Sequence, residues 1–103
     1  MNKNIILAVW LKGNPIYGLP ANEWRLDCNG NTIRWSEYGK TTRYGWEIDH
    51  SIPKSRFGSN NISNLFPMRW KENREKFDKT QSEYEIDAFI KNLRKVMGRY
   101  WIK

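Results

Sequence analysis

Asp49 and His50 are adjacent in the chain, and two asparagines, Asn64 and Asn73, follow downstream. His50 is the only histidine in the sequence, so no second imidazole could replace it in a reaction. Carboxylate and amide oxygens suit hard divalent cations, and a neutral imidazole can accept a proton from water. Together, and in basic surroundings, these are the groups that hydrolysis of a phosphodiester requires.

The net charge of +7 is concentrated in the middle of the chain. Residues 1–39 carry four Lys or Arg against three acids, residues 40–79 nine against five, and residues 80–103 five against three, which gives +1, +4 and +2. A basic segment around Asp49 and His50 is typical of a protein that binds a polyanion. A solvated basic surface would have the same composition, so charge alone leaves both interpretations open.

The length of 103 residues predicts one domain. Six tryptophans, five tyrosines and four phenylalanines indicate a core of large aromatic side chains. Cys28 is the only cysteine, so it can form no intramolecular disulfide and is compatible with a reducing compartment. The one apolar run, residues 5–11, is too short to span a bilayer, and we interpret it as a core element with no membrane contact.

Turn signals and periodicity place the polar residues on strands and helices. The Asn29-Gly30 turn predicts a strand over residues 32–35, and residues 46–52 form a second strand-like run. Residues 21–27 are compatible with a short helix. From about Asn64 the spacing becomes helical, and because proline is tolerated only in a first turn, Pro67 predicts a helix start near residue 65 or 66. Asn64 could then cap that helix.

The last element is predicted as an amphipathic helix over residues 82–98. Ser82 and Glu85 form a capping box at its start, and Gly98 is a plausible end. Six apolar residues fall on one stripe, which we expect to pack into the core; they are Ile86, Phe89, Ile90, Leu93, Val96 and Met97.

The segment from Glu47 to Asp78 closely resembles the HNH endonuclease family, whose motif folds as a ββα-metal finger. The matching residues are EIDHSIPKSR at 47–56, GS at 58–59, NL at 64–65 and WKENREK at 70–76. The resemblance is specific because Asp-His, Asn-Leu and Asn-x-x-Lys occur together at the family's spacing. It implies a small α+β domain with the finger at about 44–79, flanked by an N-terminal strand or short helix and by the C-terminal amphipathic helix.

The resemblance also implies a metal-dependent endonuclease that hydrolyses phosphodiester bonds in DNA. His50 would activate the attacking water as general base, and Asn64 would hold the loop so that His50 points correctly. Asp49 and Asn73 would bind one divalent metal, Mg²⁺ or Mn²⁺. Adjacent strand residues point to opposite faces, so Asp49 and His50 can serve one site only if the strand ends there. The expected phosphate contacts are Lys54, Arg56, Lys71, Arg74 and Lys76.

The chain departs from the family pattern at two cysteine pairs that bind zinc in many members. Arg69 and Glu72 occupy the places of one pair, and Cys28 and Asn31 those of the other, so no structural zinc is expected. Glu47 shares a strand face with Asp49 and could form a hydrogen bond that supports the metal ligands, but we interpret it as a solvated strand residue.

Two further departures are phenylalanines. Phe57 and Phe77 stand where the family usually has glycine. We interpret Phe57 as a packing residue, with contact to substrate from the loop tip as the alternative.

Two other functions stay open from the sequence. The chain could be a non-catalytic nucleic-acid-binding module that keeps the finger, or the nuclease domain of a bacterial toxin with a neutralising partner. DNA is the expected partner, with RNA as an open alternative. An inhibitor or a larger complex is not defined by the sequence. Similarity to small bacterial and phage members implies the cytoplasm of a bacterial or phage-infected cell.

Overall fold

The structure is a computed structural model that describes residues 1–98. It confirms the α+β class, with helices and strands in mixed order. In chain order the elements are α1 (Lys3–Trp10), β1 (Asn14–Pro15), β2 (Trp24–Leu26), β3 (Thr32–Arg34), β4 (Trp46–His50), β5 (Leu65–Arg69), α2 (Trp70–Lys76) and α3 (Gln81–Met97). Short 3₁₀ turns lie at Trp35–Glu37, Lys54–Arg56 and Ile62–Asn64.

The strands form two small antiparallel sheets. The first has the order β1-β2-β3, and the second pairs β4 with β5, so that Trp46 lies opposite Arg69 and His50 opposite Leu65. Strand β5 leads directly into α2. Strands β4 and β5 with helix α2 therefore make the ββα unit that was predicted at about 44–79.

The predicted helix start near residue 65 is wrong. Residues Leu65–Arg69 form strand β5, and α2 begins at Trp70 with Arg69 as its N-cap residue, so Asn64 does not cap it. Pro67 lies opposite Ile48 in a sheet of only two strands, where both strands are edges and a missing N–H is tolerated. Pairing with β4 determines the structure of this segment, although the spacing of its residues favours a helix.

The short helix considered for residues 21–27 is also wrong. Trp24–Leu26 form β2, the central strand of the first sheet, which pairs with β1 on one side and β3 on the other. The predicted strand after the Asn29-Gly30 turn is confirmed as β3. The turn therefore closes a hairpin, and hairpin pairing fixes both strands.

An aromatic core lies between α1 and the two sheets. Its buried members are Val9, Trp10, Ile33, Trp46 and Leu65. The ring centroids of Trp10 and Trp46 are 5.3 Å apart. Both indole N–H groups donate to backbone carbonyls, so the two large rings are buried without an unsatisfied donor.

Helix α3 lies where it was predicted, but its apolar stripe is not part of the core. The helix spans Gln81–Met97 and is capped by Thr80, whose Oγ1 accepts the N–H of Glu83 at 3.1 Å, so the predicted capping box of Ser82 and Glu85 is wrong; Gly98 is the C-cap residue, as predicted. No residue of α3 is buried, and the aromatic core closes without it. The expectation that the stripe packs into the core is therefore wrong. No helix within residues 1–98 is long and apolar enough to cross a membrane.

Candidate active site

Two polar contacts join β4 to α2 side by side. Glu47 and Asp49 share one face of β4, because alternate residues of a strand do, and Asn73 and Lys76 are about one turn apart on α2. Asn73 Nδ2 donates to Glu47 Oε1 at 3.1 Å, and Lys76 Nζ donates to Asp49 Oδ1 at 2.8 Å. The two predicted metal ligands, Asp49 and Asn73, therefore take part in neighbouring contacts between the same two elements.

These contacts leave one side-chain oxygen of Asp49 and one of Asn73 unused, and such oxygens suit a hard cation. Asp49 is buried, and its Oδ2 atom has no hydrogen-bond partner within residues 1–98. Asn73 directs its amide nitrogen to Glu47, which leaves its Oδ1 atom for another partner. One carboxylate oxygen and one amide oxygen fit Mg²⁺ or Mn²⁺. In the described part of the chain no three His, Cys, Asp or Glu side chains cluster to hold a metal, so water and phosphate would complete the shell.

Lys76 does not lie on the surface where a phosphate contact was predicted. Its side chain is only 1% exposed, and its ammonium donates to Asp49 Oδ1 and, at 2.7 Å, to the His50 carbonyl. A buried ammonium is tolerated because a carboxylate and a carbonyl compensate it. The predicted role of Lys76 as an exposed contact is therefore corrected. It ties α2 to the end of β4.

His50 is the last residue of β4, the position where strand alternation no longer constrains the chain that follows. Its Nε2 atom lies 2.8 Å from Asn60 Oδ1. An amide oxygen can only accept, so in this contact Nε2 carries the proton and the neutral ring keeps its lone pair on Nδ1. Asn60 was not predicted, and its place in a polar loop carries no signal that could have identified it.

Asn64 spans the loop that follows His50. Its Oδ1 accepts the N–H of Ile52 at 2.8 Å, and its Nδ2 donates to the carbonyls of Ile52 at 3.0 Å and Ser59 at 2.8 Å. Its own carbonyl accepts the N–H of Ser51 at 2.9 Å. One side chain thus fastens both ends of the loop that carries Asn60. This is the arrangement that a loop-holding residue needs.

The other four predicted phosphate contacts are exposed. Lys54 and Lys71 form no ion pair within residues 1–98, whereas Arg56 pairs with Glu83 of α3 and Arg74 pairs with Glu47 at 3.0 Å. The hydrogen bond to Glu47, together with its charge, raises the pKa of Arg74 above its ordinary value.

In the pair between Arg56 and Glu83, the hydrogen bond from Arg56 lowers the pKa of Glu83. Arg56 thereby connects the loop after β4 to the first turn of α3. The two lysines can therefore turn to a phosphate more readily than the two arginines, which would first have to leave their ion pairs.

Glu47 is the site residue whose part the sequence underestimated. It is half-buried, and both of its carboxylate oxygens are engaged, Oε1 by Asn73 and Oε2 by Arg74. Its interpretation as a solvated residue is therefore wrong. The available signal was its position two residues before Asp49, on the same strand face.

A hydrogen-bond network lies where the family's cysteine pairs would stand. Asp27, which is buried, accepts the N–H groups of Asn29 at 2.9 Å, Asn31 at 2.8 Å and Arg69 at 2.8 Å. Asn31 Nδ2 donates to Glu72 Oε1 at 2.8 Å. The network joins the β2–β3 turn to the start of α2, and so brings the two sets of replaced positions together.

The two phenylalanines that replace glycines are both exposed. Phe57 is 99% exposed with φ 67°, and Phe77 is 83% exposed with φ 52°. Phe57 lies in the left-handed region, and Phe77 has a positive φ with ψ -114°; both conformations suit glycine better than phenylalanine. The interpretation of Phe57 as a packing residue is therefore wrong.

Pairing of β4 with β5, followed by α2 across one face, defines a ββα motif with a polar site between strand and helix. Residues 40–82 match the family model described as HNH endonuclease. This segment includes Asp49, His50, Asn64 and Asn73, so the resemblance found in the sequence is confirmed: the chain carries an HNH endonuclease motif, which indicates nuclease activity in general. No curated protein and no solved structure matches the chain.

Proposed function

We propose that the chain is a metal-dependent endonuclease that hydrolyses phosphodiester bonds in DNA. The observation that carries the proposal is the placement of Asp49 and Asn73 in neighbouring contacts across β4 and α2, with His50 at the end of the same strand. All three residues lie in the segment that matches the family model.

His50 acts as the general base in this proposal. The hydrogen bond from Nε2–H to Asn60 Oδ1 orients the ring. It leaves Nδ1 to take a proton from the attacking water. Asn64 holds the loop that supplies Asn60, so it acts on the imidazole through that loop. A positioned base of this kind contributes about 10²–10⁴-fold in rate.

Asp49 Oδ2 and Asn73 Oδ1 would hold one divalent metal, Mg²⁺ or Mn²⁺. When bound, the metal would stabilise the negative charge that develops on the phosphate and on the leaving oxygen. Glu47 fixes the amide of Asn73, because its Oε1 atom accepts only from Nδ2. Lys76 compensates the charge of Asp49 Oδ1 and leaves Oδ2 for the cation.

The charge of the chain supports a nucleic-acid substrate. Residues 40–79 carry a net charge of +4, and Lys54 and Lys71 are exposed without an ion pair in the described part of the chain. Such lysines bind phosphates without regard to sequence, so their contribution weakens as salt rises.

A plasmid assay tests the proposal. We expect supercoiled DNA to be nicked with Mg²⁺ or Mn²⁺ and to stay intact with EDTA. His50→Ala should lose nicking but keep Mn²⁺ binding in calorimetry, whereas Asp49→Ala should lose both while circular dichroism shows that it is folded. Asn92→Ala changes an exposed residue of α3 and should behave as wild type. Cleavage that persists in EDTA or in His50→Ala would contradict the proposal.

One observation favours a second candidate, a nucleic-acid-binding module without catalysis. Lys76 already places a positive charge against Asp49, the residue that would bind the metal. If this pair excludes divalent cations, calorimetry will detect no Mn²⁺ binding, and labelled DNA will bind in a salt-dependent way without being cut.

A further inference from the structure

Helix α3 exposes an apolar stripe on the described fold. Phe89 is 67% exposed and Val96 is 77% exposed, and no side chain of the helix is buried. Contiguous exposed apolar surface of this kind marks an interaction site in soluble proteins. Steps of four, three and four residues along one side of the helix match the seam of a coiled coil; the residues on that seam are Ile86, Ile90, Leu93 and Met97.

The charges of α3 divide into two halves. Residues 81–89 contain Glu83, Glu85 and Asp87 and no Lys or Arg, whereas residues 90–97 contain three Lys or Arg and no acid. Two copies of α3 that pair antiparallel bring the acidic half of each against the basic half of the other. Parallel pairing would instead bring like charges together.

We propose that α3 is a self-association surface through which two copies of this chain pair antiparallel along the stripe. The arrangement is two-fold symmetric, so the same surface of both copies is used and the assembly closes as a dimer. Ile90 of one copy then packs against Leu93 of the other, and Ile86 against Met97. Apolar burial supplies the attraction, and the charge halves select the orientation.

Light scattering with size exclusion tests the association. We expect the full chain at tens of micromolar concentration to have the mass of a dimer. Two charge-reversed variants, Arg94→Glu and Asp87→Lys, should each be monomeric, because Asp87 and Arg94 flank the seam and either change places like charges against each other in the antiparallel pair. An equimolar mixture of the two should recover the dimer mass. Circular dichroism checks that each variant is folded.

The same mass measurements show whether something other than a second copy of α3 covers the stripe. A wild-type monomer at these concentrations would overturn the proposal, and so would charge-reversed variants that remain dimeric. A chain that ends at Gly98 should still dimerise. If it becomes monomeric, residues 99–103 make the contact and the assignment to the stripe is wrong.

A separate observation concerns Phe57. A phenylalanine with φ 67° in left-handed backbone is disfavoured, and this one is also fully exposed, so neither backbone preference nor burial explains it. The loop beneath it is tightly closed. Gly58 N–H donates to the Pro53 carbonyl at 2.9 Å, and a Cβ at Gly58 would lie 1.6 Å from the Ile52 carbonyl oxygen. The exposed ring is thus held outward by an ordered turn.

We infer that Phe57 contacts the substrate by stacking on a nucleobase, an inference that rests on the proposed function. Phe57 directly follows Arg56, with Lys54 three residues before it, and belongs to the loop that Asn64 fastens behind His50. Aromatic rings beside cationic residues are typical of surfaces that bind unpaired bases, because every base offers a flat face.

Fluorescence anisotropy with a labelled single-stranded oligonucleotide in EDTA tests this contact. Phe57→Gly should bind roughly tenfold more weakly or worse, yet should melt at the same or a higher temperature, because glycine suits left-handed backbone. Phe57→Tyr should keep its affinity. Phe77→Gly is the control, since it relieves a positive φ at another exposed phenylalanine, and its affinity should equal that of wild type.

The outcomes separate the two proposals. Wild-type affinity in Phe57→Gly would overturn the stacking contact while leaving the nuclease proposal intact. Equal losses in Phe57→Gly and Phe77→Gly would also overturn it. Absence of DNA binding by the wild-type chain would remove the proposed function, and the stacking contact with it.

Discussion

The ammonium of Lys76 lies 2.8 Å from Asp49 Oδ1, and both side chains are almost completely buried. The pair links the strand and the helix of the ββα unit, because Asp49 belongs to β4 and Lys76 is the last residue of α2. Lys76 also donates to the His50 carbonyl, so the same ammonium holds the backbone of the proposed base. The pair therefore contributes to the fold and to the placement of His50.

Replacement of Lys76 by Met should strongly destabilise the chain. The variant leaves a buried carboxylate without its counter-charge, and breaking one side of a buried pair typically costs about 3–5 kcal/mol. Urea denaturation measures the loss. Lys71→Met is the control, because Lys71 is an exposed lysine of the same helix, and its effect should stay within about 0.5 kcal/mol. Similar losses in the two variants would show that the buried pair is not important for stability.

Glu47 should affect metal binding through Asn73. Glu47→Ala removes the acceptor that orients the amide, and loss of such a partner typically lowers metal affinity or activity by about 10–100-fold. Glu47→Gln keeps an acceptor oxygen and should recover most of the affinity for Mn²⁺ in calorimetry. Arg74→Ala removes only the other contact of Glu47 and should bind Mn²⁺ as wild type does. An equal loss in Arg74→Ala would assign the effect to the ion pair instead.

Asn64 should contribute both to stability and to catalysis. Asn64→Ala deletes three hydrogen bonds to the loop backbone, and at a net value of about 0.5–1.5 kcal/mol each the loss should be about 2–4 kcal/mol. Nicking should fall further than the folded fraction, because the loop that orients His50 is released. Asn61→Ala, at an exposed neighbouring position, should have little effect on either measurement.

The residues of the candidate site were easier to select from the sequence than the secondary-structure elements around them. Asp49, His50 and Asn73 could be selected because their spacing matches a known motif, and a motif carries its three-dimensional arrangement with it. Strand β5 could not be selected, because its pairing with β4 is a contact between segments distant in sequence, which decides the state of an ambiguous segment. Pro67 favoured the first turn of a helix and is equally acceptable on the edge of a two-stranded sheet.

Burial of charged and apolar side chains was the other limit. Lys76 was expected at the surface because lysine usually is exposed, and only the neighbouring Asp49 and the His50 carbonyl make its burial favourable. The apolar stripe of α3 was expected to be buried and is exposed instead. Amphipathic spacing predicts that a helix has an apolar face, but it contains no information on what covers that face.

Asp27 should replace, through hydrogen bonds, the cross-link that zinc supplies in many members of the family. Its carboxylate accepts three backbone N–H groups, two in the β2–β3 turn and one at the start of α2. Asp27→Ala leaves all three without this acceptor and should lower the free energy of unfolding by about 3 kcal/mol or more. Asp27→Asn keeps one acceptor oxygen and should lose less. Asp78→Ala changes an exposed acid near the end of α2 and should have almost no effect in the same urea titration. If Asp27→Ala is as mild as Asp78→Ala, other contacts, such as that between Asn31 and Glu72, hold the turn against the helix.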